Sequence, residues 1–192
     1  MAAVGEILDS GEEQIEFLAT SAGTNGELVR CRVRVAPGRP APPEHSHPNQ
    51  EERFTVERGR LGYVLGDARF EAGPGEAAVV PPGTNHTFWN AGTEELSVVA
   101  DVRPALGFED FVETIHVLIR DGHLQAGGAR PNPLRLAVVA RAHRREWRLT
   151  RLSPVARAAM PVQAVIGRLA GYRAHYSVNS ESRAAAKTPA AV

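Results

Sequence analysis

Apolar and polar residues alternate through the chain up to Val102, and the period then changes. Val29, Cys31, Val33 and Val35 alternate with Arg30, Arg32 and Arg34. Side chains two apart on a strand share a face, so this run predicts a strand with one buried and one solvated side. Residues 13–19 predict an earlier strand, with Thr24-Asn25-Gly26 as the turn between the two. Extended runs follow at 52–57, 77–80, 86–90 and 96–102, and 63–70 reads as a hairpin turning at Gly66-Asp67. The Pro-rich loop 37–43, Pro81-Pro82-Gly83 and Ala91-Gly92-Thr93 punctuate them. About seven or eight short strands, with turns every 8–12 residues or so, predict a barrel or sandwich.

Beyond the strands the spacing becomes helical. Phe108, Phe111, Val112, Ile115, Leu118 and Ile119 fall on one helix face, and Gly122 supplies a stop. Gly127-Gly128 and Pro131-Asn132-Pro133 form a connector. Residues 134–149 predict a second helix, apolar in its first half and basic in its second, where the helix dipole favours cations. Ser153-Pro154 is an N-cap followed by a proline at the first helical position. It opens a third helix that runs to Ala170 and stops at Gly171. Residues 178–192, rich in Ser, Ala, Asn, Lys and Pro, are expected to be a disordered tail.

A chain of 192 residues is one domain, or one domain with an appendage. No charged-then-apolar leader and no apolar run long enough for a transmembrane helix are evident, so a cytoplasmic protein is expected. The single cysteine, Cys31, excludes an internal disulfide and fits a reducing compartment. Its place in the alternation makes it a buried strand thiol. Charge changes the picture more. The net charge is zero, yet residues 1–129 carry 10 arginines against 20 acidic residues, a balance of −10. Residues 130–192 carry 12 basic residues against Glu146 and Glu181, a balance of +10. Such a split predicts a basic face that meets an acidic one: the barrel, a second subunit, a membrane or a nucleic acid.

The chemistry is concentrated in His45-Ser46-His47, Glu52 and His86. Three imidazoles and a carboxylate on neighbouring strands can meet around one metal ion, and a His₃Glu set suits Fe, Mn, Ni, Co, Cu or Zn. Four ionisable groups inside a small barrel are costly unless paired or bound to metal. Glu51 is the competing carboxylate, but it points to the opposite face from Glu52.

The spacing resembles two linked motifs of the cupin family. Gly38, His45-x-His47, Glu52 and Gly59 resemble the first motif, with one extra residue before the histidines. Gly75, Pro81-x-Gly83, His86 and Asn90 resemble the second at every position. The resemblance covers residues 28–102. It implies a mainly β fold, a double-stranded β-helix (cupin) barrel, here with a C-terminal α-helical extension. It implies one divalent transition metal per chain at His45, His47, Glu52 and His86. The expected organisation is a barrel with N-terminal strands over 1–105, a helical extension over 106–177 and the tail.

Phe54 and Val56 share a face with Glu52, and Phe88 shares that of His86, so all three are expected to line a substrate pocket. No inward-facing Lys or Arg is identifiable, and Arg53 is expected to face outward. His116 reads as a packing histidine, and His123, His143 and His175 as exposed. Trp147 and Tyr172 read as helix-packing anchors. The first functional expectation is a dioxygenase-type oxidation of a small hydrophobic or aromatic molecule, with Glu52 also able to act as a base. The alternatives are a metal-assisted isomerase, epimerase or cyclase, and a ligand-binding sensory cupin without catalysis. The expected partners are a small-molecule substrate and a second copy of the chain. Nucleic acid is not expected, and a peripheral membrane contact ranks below the dimer.

Overall fold

The computed structural model describes residues 2–124 and 131–178. The connector at Gly127-Gly128 and the tail beyond Val178 lie outside them. Ten strands come first: β1 (Ile7–Asp9), β2 (Glu13–Ala19), β3 (Val29–Val35), β4 (His45–Ser46), β5 (Glu51–Arg58), β6 (Leu61–Leu65), β7 (Ala68–Ala72), β8 (Ala77–Val80), β9 (His86–Asn90) and β10 (Leu96–Arg103). Helices α1 (Phe108–Arg120) and α2 (Pro133–Ala142), strand β11 (Arg148–Leu149) and helix α3 (Pro154–Leu169) follow. The strands form two antiparallel sheets, ordered β1-β2-β3-β10-β5-β8 and β11-β4-β9-β6-β7. The fold is a double-stranded β-helix barrel carrying C-terminal helices, as the patterning implies.

The alternation reads directly onto the barrel. Val29, Cys31, Val33 and Val35 are buried, and the intervening arginines face outward. There Arg30 pairs with Asp101, and Arg32 with Glu16 and Glu57. On β5, Glu52, Phe54 and Val56 are buried while Glu51 and Arg53 are exposed. Burial lifts the Cys31 thiol far above its ordinary range. Gly62 sits where a side chain would collide with the Trp89 indole, over which Arg69 also lies.

Two local expectations change. The helix over 134–149 is two elements. Asn132 caps α2 by accepting from the Leu134 and Arg135 amides, and the helix ends at Ala142. The His143 amide still reaches the Val139 carbonyl, and the Trp147 amide then closes a turn back to His143. Arg148 and Leu149 emerge extended and pair with Ser46 and His45. The gain of ladder hydrogen bonds and of a buried Trp147 outweighs the helical propensity of this Arg-rich stretch. Ser153 caps α3 as expected, accepting from the Ala156 amide, and Gly171 follows with φ +88°. The second change is His143, which is buried against the rings of Phe111 and His175.

Candidate metal centre

The metal-site expectation rests on where four side chains fall, and the fold brings all four together. His45 lies on β4, directly opposite His86 at the start of β9. His47 follows two residues on, just past the end of β4. Glu52 comes from β5 in the other sheet. All four are buried. The coordinating atoms of His45, His47 and His86 lie within 4.8 Å of one another. Glu52 Oε2 stands 3.0 Å from His86 Nε2 and 3.6 Å from His47 Nε2.

The outer nitrogens decide what the inner ones can do. His45 Nδ1 donates to the Pro43 carbonyl at 2.8 Å, His47 Nδ1 to Glu146 O at 2.5 Å, and His86 Nδ1 to Thr84 O at 3.0 Å. Each carbonyl fixes the proton on Nδ1 and faces Nε2 inward, where that of His86 meets the Glu52 carboxylate. The three histidines form a donor set that a divalent cation fits, and the Glu52 carboxylate stands beside it against His86 and His47.

Electrostatics agrees. Burial, followed by the neighbouring histidines, drives His45 down to about 3, and burial also lowers His47. Burial alone would raise Glu52, but the surrounding histidines overrule it and hold the carboxyl down at about 2. Burial opposes a charge on His86, yet the bond and charge of Glu52 raise it. Glu52 is thus held ionised, and His45 and His47 favour the neutral form that metal ligation uses, while His86 is tilted towards the charged form by its bond to Glu52.

The cluster opens into a cavity of roughly 390 Å³. Phe54 and Phe88 line it, with ring centroids 5.0 Å apart. Val56 does not line it and is buried in the apolar core. Val33, at the same level across Val98, does line the cavity, so the cavity leans towards β2 and β3 and leaves Val56 covered. The helical extension supplies the facing wall. Phe108 packs on His47 and Trp147 on His45, with centroids 5.7 and 6.3 Å apart. His116, expected only to pack, also lines the cavity. So does Arg39, which the sequence reading did not find; it lies on the Pro-rich loop, where no period reveals its direction. Tyr172 stacks beneath Arg135.

Residues 31–101 match the family described as a cupin domain. All four clustered side chains fall inside that stretch, and this part of the chain belongs to the cupin superfamily. Oxidoreductase iacF of Pestalotiopsis fici is 30% identical over 113 residues, a match covering 56% of this chain. The chain spans about half of that relative, 55% of its length. Among solved structures, an uncharacterized conserved protein with a double-stranded beta-helix domain from Klebsiella pneumoniae subsp. pneumoniae is 23% identical at a TM-score of 0.45. The match covers 55% of this chain and 90% of that one. KdgF from Halomonas sp. is 19% identical at a TM-score of 0.47, covering 54% and 90%. No helix among the described residues is long and apolar enough to cross a membrane.

Proposed function

We propose that this protein is a metal-dependent oxidoreductase that acts on a small hydrophobic or aromatic molecule by dioxygenase-type oxidation. The observation that carries the reading is the grouping of three carbonyl-oriented histidine rings, with the Glu52 carboxylate against two of them, at a largely apolar cavity. The oxidoreductase relative points the same way. His45, His47, His86 and Glu52 would hold one divalent transition metal, which supplies redox and Lewis-acid chemistry when bound. Phe54 and Phe88 orient the substrate by shape. Phe108 and Trp147 exclude water from the histidines. Glu52, whose Oε2 lies 3.0 Å from His86 Nε2, would also serve as the base that takes a proton from the substrate.

The barrel and the helical extension act in this reading as one catalytic unit, because α1 and β11 complete the cavity that β4, β5 and β9 begin. A second copy of the chain is the proposed macromolecular partner, docked on the exposed face of α3.

Metal analysis of the purified protein, combined with oxygen consumption on a panel of hydrophobic and aromatic compounds, tests the function. Near-stoichiometric metal and substrate-dependent oxygen uptake are expected. Turnover that continues without oxygen, with zinc or nickel in the site, would move the assignment to a non-redox isomerase or cyclase. Metal-bound protein that turns over nothing, with ligand-dependent changes in the helices, would make it a sensory module.

A further inference from the structure

The cavity has a second polar end. Along the inner face of the larger sheet, Glu52 stands opposite Val102. Glu13 stands opposite Val35, which in turn stands opposite Leu96. Val102 and Leu96 are six residues apart on β10, so the two carboxylates lie at levels about 20 Å apart along the strands. Helix α1 gives an independent ruler. Phe108 packs on His47, while His116 lies beside Asp9 on the hairpin that leads to Glu13. Eight helical residues separate them, about 12 Å of rise. Glu13, Ile15, Val33, His116 and, from the metal cluster, His45, His47 and Glu52 line one cavity. It is an elongated slot with the cluster at one end and the β1–β2 hairpin at the other.

Arg39 closes the hairpin end. Its guanidinium pairs with Glu13 at 2.9 Å and donates to the Pro40 carbonyl at 3.3 Å, with the two charged side chains only 6% and 12% exposed. A guanidinium has five N–H donors in a rigid fork, so these bonds leave donors over. Desolvating such a pair offsets most of its attraction, which makes it a poor choice for stability alone. Glu13 holds one terminal nitrogen of the fork, as the partner of a recognition arginine does.

We propose that Arg39 anchors a carboxylate, and that the slot takes an elongated apolar carboxylic acid with its head group at Arg39 and its other end at the histidine cluster. The proposal rests on reading this cavity as the substrate site. It adds the substrate class and a residue that sets specificity. A carboxylate meets the free side of the fork in bidentate geometry, and Ile15, Val33, Ile115 and Phe88 receive the apolar body.

Calorimetric titration with matched pairs, octanoate against octanamide and 4-phenylbutanoate against 4-phenylbutanamide, tests it on the full-length protein. Each acid is expected to bind at least about tenfold tighter than its amide, the size of effect one charge-assisted bidentate contact produces. Arg39→Gln should bring acid and amide together while leaving metal content unchanged. Arg39→Lys, which keeps the charge and the bulk, should retain a reduced preference and serves if the glutamine variant does not fold. His86→Ala should lose metal and keep the preference for acids. Equal binding of acid and amide to the wild-type protein would overturn the proposal, as would no binding of any probe at millimolar concentration. A preference that survives Arg39→Gln but disappears in His86→Ala would place the carboxylate at the metal, sinking the Arg39 anchor while sparing the metal reading. A preference that depends on Arg39 in a protein that never holds metal would do the reverse.

Discussion

The ring of His47 is aimed by the Glu146 carbonyl, 99 residues further along the chain. His45 and His86 are aimed by carbonyls two residues before each of them. Local turns thus orient two rings, and the C-terminal extension orients the third. Replacing both His47 and His86 by alanine should abolish stoichiometric metal, measured by elemental analysis of the purified variant. The far-UV circular dichroism should be unchanged, since the core around Phe17, Leu61 and Leu96 is apolar and independent of the cluster. Full metal occupancy in the double variant would refute the ligand set. Glu52 over Glu51 was legible because burial on a strand follows parity, whereas Arg39 was not. Its direction is set by Glu13 across the loop, and a Pro-rich segment has no period to reveal that.

His143 carries a pH signature at the same scale. Burial, with the neighbouring His175, lowers its pKa in the folded protein, while Glu146, Asp110 and a backbone bond to Ala174 oppose the shift. Its folded pKa lies below the unfolded value, so the unfolded chain binds the extra proton first. The stability that His143 contributes is present above about pH 6.5 and is lost as the pH falls below that value. His116 shifts in the same direction, again chiefly through burial. Wild-type thermal midpoints should therefore decline between about pH 7 and 5, the side of the unfolded histidine pKa on which the charged form gains. His143→Gln should decline less steeply. Parallel curves for the two proteins would show that His143 does not titrate in this window.

At the scale of elements, α2 and α3 meet through small residues. A side chain at Gly167 would stand 2.7 Å from the Leu134 carbonyl oxygen and from a Val138 methyl group. Backbone cannot rotate away as a flexible side chain can, so the helices must separate. Gly167→Ala should cost about 1–3 kcal/mol, the range for overpacking a close contact, despite alanine's better helix propensity. Chemical denaturation measures it, and a stabilised variant would show that the two helices can shift freely. Phe88→Ala makes the complementary case. Phe88 is only partly buried and faces the cavity beside Phe54, so trimming it should change which substrates bind more than it changes the denaturation midpoint. A loss of roughly 3–5 kcal/mol would mark it as core instead. The strands were legible at this scale because their buried residues alternate, and α1 because its large apolar residues recur at helical spacing, although Glu109, Glu113 and Thr114 are buried as well. The break at His143 was not, because the turn and β11 exist to meet β4, a partner that the local pattern does not contain.

At the scale of the whole molecule, the described residues leave most of the charge split without internal pairing. Among the described residues, Arg151–Glu44 is the ion pair that ties the C-terminal arginines to the barrel. Arg141, Arg144, Arg145, Arg148, Arg157 and Arg168 are exposed. The extension is instead held by backbone pairing and by burial of Trp147, Val138 and Val139. Beside those arginines α3 turns Val155, Val162, Ile166 and Leu169 outward, 79%, 61%, 47% and 85% exposed. Their spacing of seven, four and three residues keeps them on one helix face. A stripe this apolar, flanked by cations, on a chain whose barrel is acidic, suits a second copy that brings both an apolar face and acidic residues. Wild-type protein should therefore run as a dimer in light scattering after size exclusion. Ile166→Asp with Leu169→Asp should yield monomer with unchanged metal content, because neither residue lines the cavity. Truncation after residue 130 should act differently. It removes the carbonyl that orients His47 and the Trp147 and Leu149 walls together, so metal should fall with solubility. A wild-type monomer that sediments with anionic vesicles, and stops doing so in the aspartate pair, would reassign the α3 face to a membrane surface.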